Sequence, residues 1–165
     1  MKNIYLCGFM GCGKSHIGRL LAKKLGLDFT DLDRYIVEKE GMSIPEIFEK
    51  YGEPHFRSLE SKYIKEMPEN SVVATGGGAI INPDTARTAR EKGTVVFLDT
   101  AFEICYDRIK GDTNRPLVMN NTKEQLHELF TNRRRIYLTN AEISVNANGV
   151  DEDIASEIIE KTGNK

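Results

Sequence analysis

The sequence predicts an α/β fold in which a parallel sheet lies between two layers of helices. Short apolar runs of strand length alternate with amphipathic stretches of helical spacing along the whole 165-residue chain. No linker, repeat or low-complexity tract interrupts this alternation, so the chain is predicted to form one domain over residues 1–165. The first apolar run leads directly into a glycine-rich loop and a helix, which is how many α/β folds begin.

Five apolar runs have the length of buried parallel strands. They are residues 4–7, 27–33, 72–74, 95–98 and 143–145. Helices are predicted from the glycine-rich loop to about Gly26, at residues 34–40, 56–67 and 101–109, and from about Asp151 onwards. Three more are predicted to begin after the capping residues Ser43, Asn82 and Thr122. Parallel strands joined by right-handed crossovers bind ligands at their carboxyl ends, where the loops described next are expected to meet.

Composition restricts the classes of function. A formal net charge of -2, with 29% charged residues of both signs, provides no general positive field for nucleic acid. Three cysteines form neither an even disulfide framework nor a metal-ligand spacing, which indicates a reducing compartment. No apolar run approaches the roughly 20 residues of a membrane span, and the first strand begins too early for a signal peptide. We therefore expect a cytoplasmic protein that binds neither nucleic acid nor a membrane.

The loop at residues 8–15 fits the pattern G-x-x-x-x-G-K-[ST] without a mismatch. Its glycines let the backbone fold into a nest whose N–H groups, together with the positive end of the helix dipole, face an anion. Lys14 adds a charge for the β- and γ-phosphates of a nucleotide, and the Ser15 hydroxyl can ligate Mg²⁺. A glycine-rich turn with a chance lysine is the alternative, and the strand and helix on either side argue against it.

The second strand is predicted to end in Asp31 and Asp33. Two residues apart on a strand, their carboxylates would lie on one face about 7 Å apart. One could order the water shell of a Mg²⁺ held by Ser15, while the other orients or deprotonates a substrate hydroxyl. A solvated turn that caps the next helix is the alternative, and the residues alone leave both interpretations open.

Gly76, Gly77 and Gly78 directly follow the third strand. They offer free backbone N–H groups and let a small ligand approach the main chain closely. Taken alone, the triplet favours a plain tight turn. Its expected position beside the other two loops favours a ligand contact.

Residues 110–121 show neither periodicity nor a core pattern. Irregular segments of about a dozen residues in a compact domain are often active-site lids. This segment is predicted to be a mobile lid.

Three arginines are candidates for binding anions through their planar guanidinium groups. Arg57 and Arg133, on predicted helices, suit a substrate carboxylate, whereas Arg115, in the predicted lid, suits a transferred phosphoryl group. Each could instead be an ordinary surface arginine. Because successive helical residues diverge by about 100°, Arg133, Arg134 and Arg135 cannot share one role.

The motifs, taken together and in this order, resemble the shikimate kinase family over nearly the whole chain. The family's phosphate loop is matched by residues 8–15, its D-x-D by residues 31–33, its F-R-x-x-E by residues 56–60, its T-G-G-G by residues 75–78 and its lid R-P-L by residues 115–117. Its later R-x-P-L-Y element is present as R-R-R-I-Y at residues 133–137, with arginine for proline and isoleucine for leucine. Alignment on Tyr137 favours Arg133 over Arg134 as the residue that faces the substrate.

The resemblance implies a three-layer P-loop NTPase fold with a mobile lid, like that of nucleoside monophosphate kinases. It also implies a monomer, since family members are usually monomers. It implies ATP-dependent phosphorylation of the 3-hydroxyl of shikimate to shikimate 3-phosphate, a step towards chorismate and the aromatic amino acids. The rivals are a kinase for another small acidic polyol such as gluconate, a nucleoside monophosphate kinase, and a nucleotide-binding module without catalysis. A regulatory GTPase would need an N-K-x-D sequence, which the chain lacks.

The resemblance also implies which residues form the site. The catalytic residues would be Lys14, Asp33 and Arg115. The ATP-binding residues would be Gly11, Cys12, Gly13, Lys14, Ser15, His16, Arg115 and Arg108, the last against adenine. The shikimate-binding residues would be Asp33, Phe48, Phe56, Arg57, Gly76, Gly77, Gly78 and Arg133. Ser15 and Asp31 would bind Mg²⁺.

Overall fold

Five parallel strands form the centre of the structure, a computed structural model that describes residues 2–164. The strands are β1 (Asn3–Cys7), β2 (Asp28–Asp31), β3 (Ser71–Ala74), β4 (Gly93–Asp99) and β5 (Ile143–Asn146). Their order across the sheet is β2-β3-β1-β4-β5, and every neighbouring pair is parallel. This confirms the predicted α/β class and the five-stranded parallel sheet.

Helices connect these strands and cover both faces of the sheet. They are α1 (Lys14–Leu25), α2 (Leu32–Glu40), α3 (Ile44–Tyr51), α4 (Glu53–Glu66), α5 (Pro83–Lys92), α6 (Phe102–Ile109), α7 (Pro116–Met119), α8 (Lys123–Asn140) and α9 (Asp151–Thr162). A 3₁₀ turn, Ala79–Ile81, precedes α5. Among the described residues, no helix is both long and apolar enough to cross a membrane.

Alternate side chains of β1 enter two separate hydrophobic cores. Ile4 and Leu6 pack in a cluster with buried residues of α1, α6 and α9, whereas Tyr5 and Cys7 pack with those of α2, α4 and α5. Because neighbouring side chains on a strand point to opposite faces, β1 lies at the centre of three layers. Helix α8 contributes Leu126 to the first core and Tyr137 to the second.

The predicted second strand is too long at its carboxyl end. Strand β2 stops at Asp31, whose side chain accepts a hydrogen bond from the Arg34 N–H and caps α2. Asp33 therefore lies in the first turn of a helix rather than on a strand. The prediction that Asp31 and Asp33 lie on the same face of one strand is wrong, because capping by Asp31 begins the helix there.

The predicted lid at residues 110–121 is not irregular throughout. It contains α7, a single turn that begins at Pro116, a residue whose fixed φ favours the first helical position. One turn is too short for hydrophobic periodicity to reveal it in the sequence. Mobility of this segment stays a prediction.

Candidate active site

A cavity of about 520 Å³ lies at the carboxyl edge of the sheet. It is bordered by the phosphate loop after β1, the start of α2 after β2, the glycine triplet after β3, the lid, and residues of α3, α4 and α8. The predicted site residues that line it are Lys14, Ser15, Asp31, Asp33, Phe48, Phe56, Arg57, Gly76, Gly77, Gly78, Arg115 and Arg133. The fold thus gathers residues from distant parts of the sequence around one space.

The phosphate loop has the backbone that an anion site needs. Gly13, with φ of 96°, forms the N-cap of α1 and has no side chain to satisfy the N–H groups of the first helical turn. A Cβ on Gly11 would lie 2.7 Å from the Cys105 carbonyl oxygen, so only glycine fits there. The Lys14 ammonium donates to the carbonyl oxygens of Gly8 (2.8 Å) and Phe9 (3.1 Å), which holds the charge across the loop. Free N–H groups and a fixed cation together suit polyphosphate.

Ser15 and Asp31 place two oxygen ligands side by side. The Ser15 hydroxyl donates to Asp31 Oδ2 at 2.8 Å, while Asp31 Oδ1 accepts from the backbone of α2. No cluster of three or more His, Cys, Asp or Glu residues able to hold a metal occurs within residues 2–164. The hydroxyl and carboxylate oxygens of this pair fit Mg²⁺, which is usually bound by one or two protein oxygens together with water and substrate phosphates.

Asp33 lines the cavity and has one unsatisfied carboxylate oxygen. Its Oδ1 is buried and has no hydrogen-bond partner in the described chain. Burial raises the pKa of Asp33, and the nearby Asp31 carboxylate raises it further, against the opposing charges of Lys14, Arg115 and Arg57. A buried acceptor without a donor is costly, so this oxygen is suited to a hydroxyl that arrives with the substrate.

Arg57 is held by Glu60, to which the sequence analysis assigned no role. Glu60 is 1% exposed, and its Oε1 accepts from Arg57 Nη1 at 2.6 Å. Arg57 Nη2 donates to the more exposed Glu53 at 3.2 Å. Burial raises the pKa of Glu60 to about 7, although the positive charge of Arg57 opposes the shift. The helical i, i+3 spacing of Arg57 and Glu60 was the available signal for this pair.

Arg133 and Arg134 have different environments. Arg134 forms two hydrogen bonds with Asp99, at 3.0 and 2.7 Å, and does not line the cavity. Arg133 lines the cavity, is 8% exposed, and has no carboxylate of residues 2–164 within 4.0 Å of its guanidinium nitrogens. A buried arginine without a counter-ion is costly. This position favours an anionic ligand next to Arg133.

The glycine triplet lets side chains approach the main chain closely. A Cβ on Gly76 would lie 2.6 Å from Asp33 Oδ1 and 2.9 Å from Glu60 Oε2, and one on Gly78 would collide with Arg57. The buried Tyr137 hydroxyl donates to the Gly77 carbonyl oxygen, which fixes that peptide. The triplet is thus a packing surface for the charged residues of the site.

Phe48 and Phe56 form an apolar wall of the cavity. Their ring centroids lie 5.2 Å apart, and the Arg57 guanidinium carbon lies 5.3 Å from the centroid of the Phe56 ring. Arg115 brings a lid cation to the same cavity and donates from Nε to Asp112 Oδ2 at 3.0 Å.

The other predicted nucleotide-binding residues do not line the cavity: Gly11, Cys12, Gly13, His16 and Arg108. Arg108 borders the phosphate loop, where its Nη1 donates to the Gly11 carbonyl oxygen at 2.9 Å. His16 is exposed and lies 2.8 Å from an Asp151 carboxylate oxygen, whereas Cys12 is buried beneath the loop. Contacts between these residues and a nucleotide stay predictions.

Comparison with known proteins identifies the family. The model of the family described as shikimate kinase matches residues 10–162. A shikimate kinase of Geobacter sulfurreducens is 48% identical over 161 residues, which cover 95% of this chain and 88% of that one. A shikimate kinase of Persephonella marina is 46% identical over 151 residues, which cover 90% of this chain and 91% of the relative.

The fold agrees with that result. A structure of shikimate kinase from Acinetobacter baumannii in complex with shikimate superimposes with a TM-score of 0.92 at 39% identity, covering 98% of this chain and 92% of that chain. This chain belongs to the shikimate kinase family.

Proposed function

We propose that this enzyme transfers the γ-phosphoryl group of ATP to the 3-hydroxyl of shikimate, giving shikimate 3-phosphate and ADP. One observation carries the proposal: Arg133, buried and without a carboxylate partner in the described chain, shares a cavity with the phosphate loop and Asp33. A small molecule with both a carboxylate and a hydroxyl satisfies these features together. The family relationship supports shikimate over gluconate as that molecule, and a catalytic role over a binding module.

The nucleotide would be held by the phosphate loop. Its backbone N–H groups and Lys14 would bind the phosphates, and Arg108 would lie beside the base. Ser15 and Asp31 would hold Mg²⁺, which when bound neutralises charge on the phosphates. Lys14 already lies across the loop through its bonds to two carbonyl oxygens, so its charge is oriented before the ligand arrives.

Shikimate would lie between the helices and the glycine triplet. Arg57 and Arg133 would bind its carboxylate, Phe48 and Phe56 would contact its ring, and residues 76–78 would offer backbone N–H groups. Glu60 fixes one nitrogen of Arg57, which lowers the entropy that the arginine loses on binding.

Asp33 would orient the reacting hydroxyl and accept its proton. Its unpartnered Oδ1 supplies the acceptor, and its raised pKa strengthens it as a base relative to an exposed aspartate. Phosphoryl transfer depends mainly on positioning and charge neutralisation, and Asp33 serves the first of these.

Arg115 would meet the transferred phosphoryl group when the lid at residues 110–121 closes. Closure would also exclude water and so prevent hydrolysis of ATP. We expect all 165 residues to act as one domain and as a monomer in the cytoplasm, without nucleic acid or membrane partners. The buried free thiols Cys7, Cys12 and Cys105 support a reducing compartment.

The test is ADP release from Mg·ATP with separate acceptors: shikimate, gluconate and a panel of nucleoside monophosphates. We expect turnover with shikimate alone. Turnover only with gluconate or a nucleotide would contradict the proposed substrate, and ATP binding without turnover on any acceptor would favour the binding module.

A further inference from the structure

The lid contains an ion pair between Asp112 and Arg115, and Asp112 has no role in the proposed function. Asp112 Oδ2 accepts a hydrogen bond from Arg115 Nε at 3.0 Å, and both side chains are about one-third exposed. A pair this exposed contributes little to folding stability. The contact does, however, restrict the orientation of the Arg115 side chain.

Asp112 uses its two oxygens for different tasks. Oδ1 accepts from the backbone N–H of Asn114 at 2.9 Å and shapes the turn before α7, while Oδ2 holds the arginine. The carboxylate thus joins the backbone of the lid to the side chain of Arg115. The orientation of that side chain is thereby tied to the path of the lid.

The contact leaves the far end of the guanidinium available. Nε is the nitrogen that Asp112 holds, and neither Nη group of Arg115 has a hydrogen bond to any residue from 2 to 164. Arg115 lines the same cavity as Lys14 and Ser15, and its charge acts to lower the pKa of Asp33 across that cavity. Both Nη groups therefore remain free for an anion on the cavity side, the part of the fork that binds phosphate oxygens.

We propose that Asp112 is a positioning residue, which holds Arg115 in the orientation that meets the transferred phosphoryl group. The inference rests on the proposed role of Arg115. Without Asp112, the arginine would sample other rotamers and would reach the phosphoryl group only in part of the closed states.

The Asp112→Asn variant separates the two tasks of the carboxylate. Asp112 accepts from the Asn114 N–H and from Arg115 Nε on different oxygens, whereas an amide replaces one of these oxygens by an NH2 donor and carries no charge to attract the guanidinium, so the hold on Arg115 is weakened. We expect kcat to fall by about 10- to 100-fold, the cost of misplacing a group by about 1 Å, with KM for shikimate changed by less than about threefold. Asp112→Ala should lower kcat at least as much.

A double-mutant cycle with Arg115→Ala distinguishes positioning from a general effect on the lid. We expect Arg115→Ala alone to lower kcat and Asp112→Asn to have no further effect in that background. Asp107→Asn is the matched control, because it removes a carboxylate from a neighbouring i, i+3 ion pair, with Lys110, that does not line the cavity. It should retain wild-type kcat.

Each outcome bears on one part of the account. If Arg115→Ala lowers kcat but Asp112→Asn does not, Asp112 has no positioning role and the proposed function stands. The inference would also be overturned if Asp112→Asn lowered kcat by the same factor in the wild-type and the Arg115→Ala backgrounds. It would equally be overturned if Asp107→Asn lowered kcat as much as Asp112→Asn does. If Arg115→Ala keeps full turnover with shikimate, the proposed role of Arg115 fails, and the role of Asp112 fails with it.

Discussion

The Ser15 hydroxyl donates a hydrogen bond of 2.8 Å to Asp31 Oδ2, and this contact joins the first turn of α1 to the cap of α2. It connects the phosphate loop to the segment that carries Asp33. Asp31 makes a second contact with its other oxygen, which caps α2 at 3.3 Å. Both interpretations left open by the sequence, a metal ligand and a helix cap, are compatible with this one residue.

We expect Asp31→Asn to raise the Mg²⁺ concentration needed for half-maximal activity by about 10- to 100-fold, the range for disrupting residues that support a metal site. An amide retains the cap to α2 but loses the negative charge. The measurement is a Mg²⁺ titration at constant ATP. An unchanged Mg²⁺ dependence would show that Asp31 acts only as a cap.

Arg133→Ala should weaken shikimate binding by about 2 to 5 kcal/mol and leave ATP binding intact, because the variant lacks the buried charge that we propose binds the shikimate carboxylate. Calorimetric titration with each ligand measures both effects. Arg134→Ala is the control: its guanidinium pairs with Asp99 outside the cavity, so shikimate affinity should stay within about twofold. Equal losses of both ligands in the Arg133 variant would instead indicate damage to the fold.

Arg115→Ala should lower kcat far more than ATP affinity, by analogy with the roughly 10³- to 10⁵-fold effect of arginine fingers. The reason is that the charge to be stabilised develops in the transition state rather than in bound ATP. Steady-state kinetics measures kcat, and direct binding of ATP measures the ATP affinity. Turnover at the wild-type rate would contradict the role of the lid arginine.

Glu60 predicts a particular pH dependence of stability. Burial raises its pKa from 4.5 to about 7 in the folded protein, so the folded state binds a proton more tightly than the unfolded state does. The contribution of Glu60 to the free energy of unfolding is most favourable below pH 4.5 and is lost as the pH rises through about 7. A pKa shift from 4.5 to about 7 corresponds to about 3 kcal/mol.

Glu60→Gln isolates this effect because glutamine cannot ionise. We expect the free energy of unfolding of the variant, minus that of the wild type, to increase between pH 5 and pH 8. Denaturant titrations of both proteins across that range measure the difference. A constant difference would mean that the Arg57 charge keeps the Glu60 pKa at its ordinary value.

The sequence predicted best what local backbone chemistry determines. The loop at residues 8–15 was predictable because glycine, lysine and serine at fixed spacing specify a backbone nest before a helix. The choice of Arg133 over Arg134 came from aligning the family motif on Tyr137, and in the structure Arg133 and Tyr137, four residues apart on α8, are both buried.

Features set by tertiary packing could not be predicted from the sequence. Glu60 had no predicted role, and its burial depends on tertiary packing, since its Oε2 would lie only 2.9 Å from a Cβ on Gly76. The end of β2 was misplaced by two residues because the cap formed by Asp31 competes with strand extension. Residues 116–119 were read as irregular because one helical turn carries no periodic signal.

The most direct test of the account is to identify the product by phosphorus and proton NMR after incubation of the enzyme with Mg·ATP and shikimate. We predict one phosphomonoester whose phosphorus couples to the proton on carbon 3, formed in proportion to ADP. A phosphate on another hydroxyl, or ADP that accumulates with inorganic phosphate and no phosphorylated shikimate, would contradict the placement of the reacting hydroxyl against Asp33.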